Sequence, residues 1–239
     1  MSQLANTSTT PPEPNIGDAF SWPMRDPEWI SKLLLMGLIG LIPIVGVLQQ
    51  LGWMLTGLDN LRARRYELPP ARFRYARRGV WLFVASLIYG VITMVIFYAV
   101  LALMIVAMMA VTPRQPGASG ESSSGSLPLL VFPLMFATMG LFGLVFLALF
   151  LFVPVAIEFV DRRALGGAFN IPGFLRAILA SPREAIAAGA LALVSYLISG
   201  LGAYLCWVGV IFTFPYSLAV LAGVLRWYEF RAKPGSLPA

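Results

Sequence analysis

Of the 239 residues, 59% are hydrophobic and 12% charged, and 17 lysines and arginines against 11 acids leave the chain at +6. That balance excludes an ordinary water-soluble domain, in which about half the residues are apolar and about a quarter charged. With no histidine and a single cysteine, Cys206, the chain lacks the commonest metal ligand and the side chain best suited to acid–base work near neutral pH, and Cys206 has no intrachain partner. Metal, triad and Cys/His chemistry are therefore not expected, and the reading carries no enzymatic activity and no cofactor.

Residues 1–15 are polar, rich in Ser, Thr, Pro and Asn. They lack the basic and apolar regions of a cleaved signal peptide, and residues 1–18 read as a disordered tail. Between 19 and 29, Phe20, Trp22 and Trp29 interleave with Pro23, Arg25, Asp26 and Glu28, a mixture suited to the headgroup region of a bilayer. Asp26-Pro27-Glu28 then carries a capping acid, a proline at the first helical position and an acid in the first turn, the signature of a helix start.

The apolar pattern runs from Pro27 to Ile42, breaks at Pro43 and resumes to Leu58. A hairpin of two short helices over 27–58 accounts for the break; a single kinked span is the alternative. Residues 27–42 would make a helix of about 24 Å, short of the ~30 Å hydrocarbon layer but tolerable where the bilayer thins.

Residues 59–79 hold the strongest charge asymmetry, with Arg62, Arg64, Arg65, Arg72, Arg74, Arg77 and Arg78 against Asp59 and Glu67. Pro69-Pro70 prevents a continuous helix, and the basic excess places this loop in the cytoplasm. A long apolar helix over 80–111 then crosses outward. The Pro-, Gly- and Ser-rich stretch 112–126 reads as a flexible external loop, and 127–160 returns as a bent helix containing Pro128, Pro133 and Pro154.

A polar cytoplasmic connection, 161–184, contains a short interfacial helix at 172–179. Residues 185–228 are long enough for two spans and read as a second hairpin, crowded by Gly200, Gly202 and Gly209, with Tyr204 and Trp207 at the outer interface. Arg226, Arg231 and Lys233 keep the final flank inside, ahead of a tail at 232–239. A faint similarity between 37–47 and 200–210 links the two hairpins without establishing a duplication. No sustained alternation of apolar and polar residues supports barrel strands. The expected fold is an all-α polytopic transmembrane bundle of about six helices, two hairpins flanking two long central helices. It forms one domain over 19–231, with both termini inside, in the inner membrane of a prokaryote.

Trp29 and Lys32 ahead of the first apolar run, Gly37, Gly40 and Pro43 within it, and Leu68-Pro69 before the next long span give a pattern that resembles the domain of unknown function 4013 family of prokaryotic membrane proteins. The likeness runs from about Phe20 through most of the chain, and Pro154 and Pro215 continue it in the second half. It implies a multi-pass membrane protein with no established activity, and supplies no catalytic residues.

The arginines of 62–78 are candidates for contact with anionic lipid headgroups, each basic residue near a negative leaflet contributing ~1 kcal/mol; orienting the chain in the membrane is the plainer role. Nucleic-acid binding has no motif to support it. Gln49 and Gln50, inside an apolar run, need hydrogen bonds across helices, or else line a polar path with Tyr89, Thr93, Tyr98, Ser195, Tyr196 and Ser199. Glu158 lies nearest the hydrocarbon, close in helical spacing to Asp161, Arg162 and Arg163, and a local ion pair is the expected role. Gly37, Gly40, Gly140, Gly143, Gly200 and Gly202 mark faces where helices approach closely or where copies associate. Three functions follow in order: a non-enzymatic membrane component, such as a subunit, assembly or scaffold factor; a small-molecule permease or channel; and a lipid-active intramembrane enzyme using Glu158 or Asp161 as base. The expected partners are membrane lipids and a membrane protein or second copy.

Overall fold

The computed structural model describes residues 15–111, 127–204 and 208–232. The tail at 1–14, the loop at 112–126, Cys206, Trp207 and the tail from 233 onward lie outside the described residues. Every regular element among the described residues is helical: α1 (Ile16–Ser21), a 3-10 turn (Trp22–Arg25), α2 (Trp29–Gly40), α3 (Val45–Arg62), α4 (Ala76–Val111), α5 (Leu127–Arg163), α6 (Leu165–Ala168), α7 (Ile171–Ala180), α8 (Pro182–Tyr204) and α9 (Val208–Ala232).

Among the described residues, four helical segments are long and apolar enough to cross a membrane, namely Ala76–Val106, Met135–Arg163, Pro182–Tyr204 and Val208–Ala232. The two helices of the first expected hairpin fall short of that standard for different reasons. With 12 residues, α2 is about 18 Å long. With 18 residues, α3 has the length but carries Gln49, Gln50, Asp59, Asn60 and Arg62. The two are joined at Pro43, where Ile44 adopts φ 62°, a left-handed conformation strained for a β-branched residue. Gly46 permits the tight return, because a side chain there would strike the backbone of Ile39 and Gly40.

α9 is the helix around which the others gather, with α1, α2, α3, α5 and α8 all packed on it. Its closest neighbour is α8. Gly202 lets the two helices touch, since an added Cβ would meet Thr213 and the backbone of Gly209, and the Thr213 hydroxyl donates to the carbonyl of Ser199 at 3.2 Å. Tyr196 of α8 faces Phe150 of α5 with ring centroids 5.0 Å apart.

Trp22, expected among the aromatics of an entry belt, is enclosed by the protein itself. It is buried in the core, where its indole N–H donates to the carbonyl of Ala219 at 3.0 Å. Gly223 makes room for the backbone of Ala19, and the Tyr216 hydroxyl donates to the carbonyl of Phe20 at 3.1 Å. The beginning of the described chain is thereby fastened to its last helix. An amphipathic tryptophan suits a membrane surface and a core with one carbonyl partner equally well, so composition alone could not separate the two.

Asp26 likewise differs from its expected place, because α2 starts at Trp29, after Glu28. The buried Asp26 carboxylate accepts from Lys32 Nζ at 2.7 Å, from the Glu28 amide at 2.9 Å and from the Leu68 amide at 2.8 Å. Burial alone would raise its pKa, but the Lys32 ammonium and the two amides outweigh that and hold it below the usual 3.8. A depressed carboxylate stabilises the fold at every pH above 3.8 and loses that contribution as pH falls through the lower, folded-state value. Tryptophan fluorescence during acid titration is expected to show the N-terminal segment loosening below pH 3.8, and Asp26→Asn is expected to remove that step.

Candidate functional site

The ends of four helices meet at one cluster of charges. Arg62 lies in the last turn of α3 and Arg78 near the start of α4; Glu158, Asp161 and Arg162 occupy the end of α5, and Arg226 and Glu229 the end of α9. Two glycines bring α3 and α4 into register. A Cβ at Gly52 would meet the Tyr75 carbonyl oxygen, and one at Gly79 the Leu48 carbonyl oxygen, both far inside van der Waals contact. That close crossing puts Arg78 within reach of Asp59.

Arg62 is the centre of the cluster. Its guanidinium donates to Asp59 at 3.0 Å, to Asp161 at 2.8 Å and to both oxygens of Glu229, one of them at 3.1 Å from Nε. Arg78 takes the second Asp161 oxygen at 2.9 Å and also pairs with Asp59 at 2.9 Å. Glu158 pairs with Arg162 at 3.1 Å, one turn along α5. Arg162 and Arg226 stand at 3.7 and 3.8 Å from Glu229. Four acids and four arginines make the cluster neutral as a whole, although the Asp161 and Glu229 side chains are only 6% exposed.

Burial would lower the pKa of Arg62, but hydrogen bonds and attraction from Glu229 and Asp161 reverse this and raise it. Arg62 is thus a permanent cation. Burial raises the Asp59 carboxyl, and the pull of Arg78 and Arg62, countered in part by repulsion from Asp161, does not bring it back. Both oxygens of Asp161 are held by arginines, one by Arg62 and the other by Arg78.

A cavity of about 160 Å³ opens beside the cluster, with Arg78 and Asp161 on its polar side and Leu55, Leu82, Trp81 and Val160 among its walls. Ligand sites for small molecules run from ~300 Å³ upward, so this space suits a few waters at about 30 Å³ each.

The seven expected headgroup arginines separate into two sets. Arg62 and Arg78 belong to the cluster. Arg64, Arg65, Arg72, Arg74 and Arg77 are exposed, and among the described residues none of the five pairs with an acid; Arg74 lies over the ring of Tyr75 at 5.7 Å. Of the polar residues inside apolar runs, Gln49, Gln50, Ser195 and Tyr89 are hydrogen-bonded within the protein, whereas Thr93, Tyr98 and Tyr196 are exposed. Gln49 Oε1 accepts from the Tyr75 amide at 2.8 Å, and Gln50 Nε2 donates to the Met36 carbonyl at 3.2 Å. Ser195 donates to the Leu191 carbonyl at 3.0 Å, and Tyr89 to that of Ala168. Among the described residues no buried side-chain nitrogen or oxygen is left without a partner.

The expected glycine faces also divide. Gly37, Gly40 and Gly202 stand at close contacts, whereas Gly140, Gly143 and Gly200 have nothing within 4 Å of an added Cβ. Gly52 and Gly79, which set the α3–α4 crossing, were not singled out by the sequence reading. The cue was present in retrospect: Gly79 sits directly after Arg78, in the first turn of a long span.

No curated protein and no solved structure matches the chain. A family model described as a protein of unknown function, DUF4013, matches residues 35–223, which takes in α3 to α8 whole, the final turns of α2 and much of α9. By that match, over most of its length, the chain belongs to the DUF4013 family.

Proposed function

We propose that this protein is a non-enzymatic component of a prokaryotic inner membrane, a subunit or scaffold that presents α4 and α5 to a partner. α4, α5, α8 and α9 cross the bilayer, with the charge cluster and both termini on the cytoplasmic side, and α2 and α3 complete the bundle as a shorter hairpin. The observation that carries the reading is the state of the outer halves of α4 and α5. These helices have 36 and 37 residues, and away from the cluster they meet through Phe97 and Phe142, whose rings lie 4.6 Å apart. Leu103, Val106, Phe136, Met139 and Leu144 are exposed, while Gly90, Gly140 and Gly143 have open space before them. Small residues with free space on an apolar helix are where a second membrane helix approaches closely.

The permease reading draws less support, because Gln49, Gln50 and Ser195 spend their hydrogen bonds within the protein and the cavity beside the cluster is small. In a Cys206→Ser background, a cysteine at Gly143 is expected to crosslink to another chain in native membranes, giving a species heavier than the 26.0 kDa protein. A protein that stays at single-chain mass with crosslinking positions throughout α4 and α5, and that copurifies with nothing, would refute the proposal.

A further inference from the structure

The structure assigns the five exposed arginines Arg64, Arg65, Arg72, Arg74 and Arg77 to a binding surface for anionic phospholipid headgroups. The inference rests on α4 crossing a bilayer and is independent of whether α4 and α5 have a partner.

Charge complementarity is the first argument. Seven arginines fall between 62 and 78, but Arg62 and Arg78 are neutralised by Asp59, Asp161 and Glu229. Within 63–77 the remaining five face a single acid, Glu67, leaving four uncompensated positive charges. Internal pairing accounts for the two arginines at the ends of the segment and for none of those between.

Position is the second. Arg77 adjoins Arg78, and Arg64 and Arg65 follow Arg62 closely, so both ends of the patch lie beside the cluster where the start of α4 and the ends of α5 and α9 converge. The apolar run of α4 begins within a turn of Arg77. Exposed aromatic rings are interleaved with the patch at Tyr66, Phe73 and Trp81, the residue types that settle at headgroup depth.

An independent mark of the same level comes from α7, which links the end of α5 to the start of α8. Its 10 residues are too few to span the bilayer. Ile171, Leu175 and Leu179, at helical spacing, are exposed, while Phe174 packs back on Phe152 and Phe159. Such a helix lies in the plane of the interface with its apolar stripe against acyl chains. The helix and the arginine patch are both tied to the end of α5, one through the chain and the other through Asp161.

Native mass spectrometry of the purified full chain with equimolar phosphatidylglycerol and phosphatidylcholine of matched acyl chains tests the proposal. Preferential retention of phosphatidylglycerol, weakened by salt, is expected. The triple variant Arg72→Gln/Arg74→Gln/Arg77→Gln is expected to lower that preference on the order of a hundredfold, and Lys at the same three positions to preserve most of it, because a leaflet attracts basic residues mainly through charge. All three positions are exposed and outside the cluster, so the variants retain the fold. Equal retention of the two lipids, or an undiminished preference in the triple Gln variant, overturns the proposal. It is also overturned if the Gln variant instead releases a copurifying acidic protein while both lipids bind alike.

Discussion

Arg62→Met is expected to destabilise the protein by about 3–5 kcal/mol, the cost of removing one member of a buried, hydrogen-bonded ion network and leaving its partners charged. Glu229 would keep only its longer contacts to Arg162 and Arg226, and Asp161 would keep only Arg78. The removed side chain is 27% exposed, so solvent offsets part of the loss for Asp59 more than for the two buried acids. Chemical unfolding in detergent, followed by tryptophan fluorescence, measures the change. Adding Glu229→Gln to the variant is expected to restore part of the stability, since it removes one stranded charge, and the pair forms a double-mutant cycle. An unchanged unfolding midpoint in Arg62→Met would show that the cluster contributes nothing to holding the four helix ends together.

Gly79→Leu is expected to cost about 3 kcal/mol, at the upper end for an overpacked site, because the added group meets backbone and has no flexible side chain to push aside. The Leu48 carbonyl lies directly against the Gly79 position. Relief requires α3 and α4 to separate, and separation withdraws Arg78 from Asp59. The same unfolding assay reports the loss, and Gly90→Leu serves as the comparison: it lies on the same helix with open space before it and is expected to change stability little. Equal effects at the two positions would mean that the α3–α4 crossing does not depend on close backbone contact.

The helices themselves were legible in the sequence, because apolar runs bounded by Pro43, by the Arg-rich segment and by polar connections fix helix positions through hydropathy and chain-breaking residues alone. A helix stands at 172–179 as expected, within α7, and its spacing of Ile171, Leu175 and Leu179 is a local property. Gln49 and Gln50 were equally readable as groups that need partners, although Tyr75 and Met36 could not be named as those partners. What local pattern does not hold is pairing at a distance. Arg62 and Arg78 looked like free members of a basic loop because, Asp59 apart, the acids that neutralise them are far along the chain: Asp161 is 99 residues from Arg62 and 83 from Arg78, and Glu229 is 167 from Arg62. The same limit explains Trp22, whose carbonyl partner lies 197 residues away. Pro43 marks the turn between α2 and α3 in the sequence, while the shortness of α2 and the polar content of α3 keep both below the standard for a membrane span.

The placement of Trp22, Ala19 and Arg62 against α9 has a consequence for how the molecule is made. The groove that receives Trp22 and the carboxylate that completes the Arg62 cluster both belong to α9, so neither contact exists until α9 has been made and inserted. Until α9 arrives, an early tryptophan and an early arginine wait without their native partners, a long-range closure that comes late in folding and leaves the intermediate exposed. A product cut short before Ala219 would lack both partners, and its defect would lie far from the lesion, at Trp22 and Arg62.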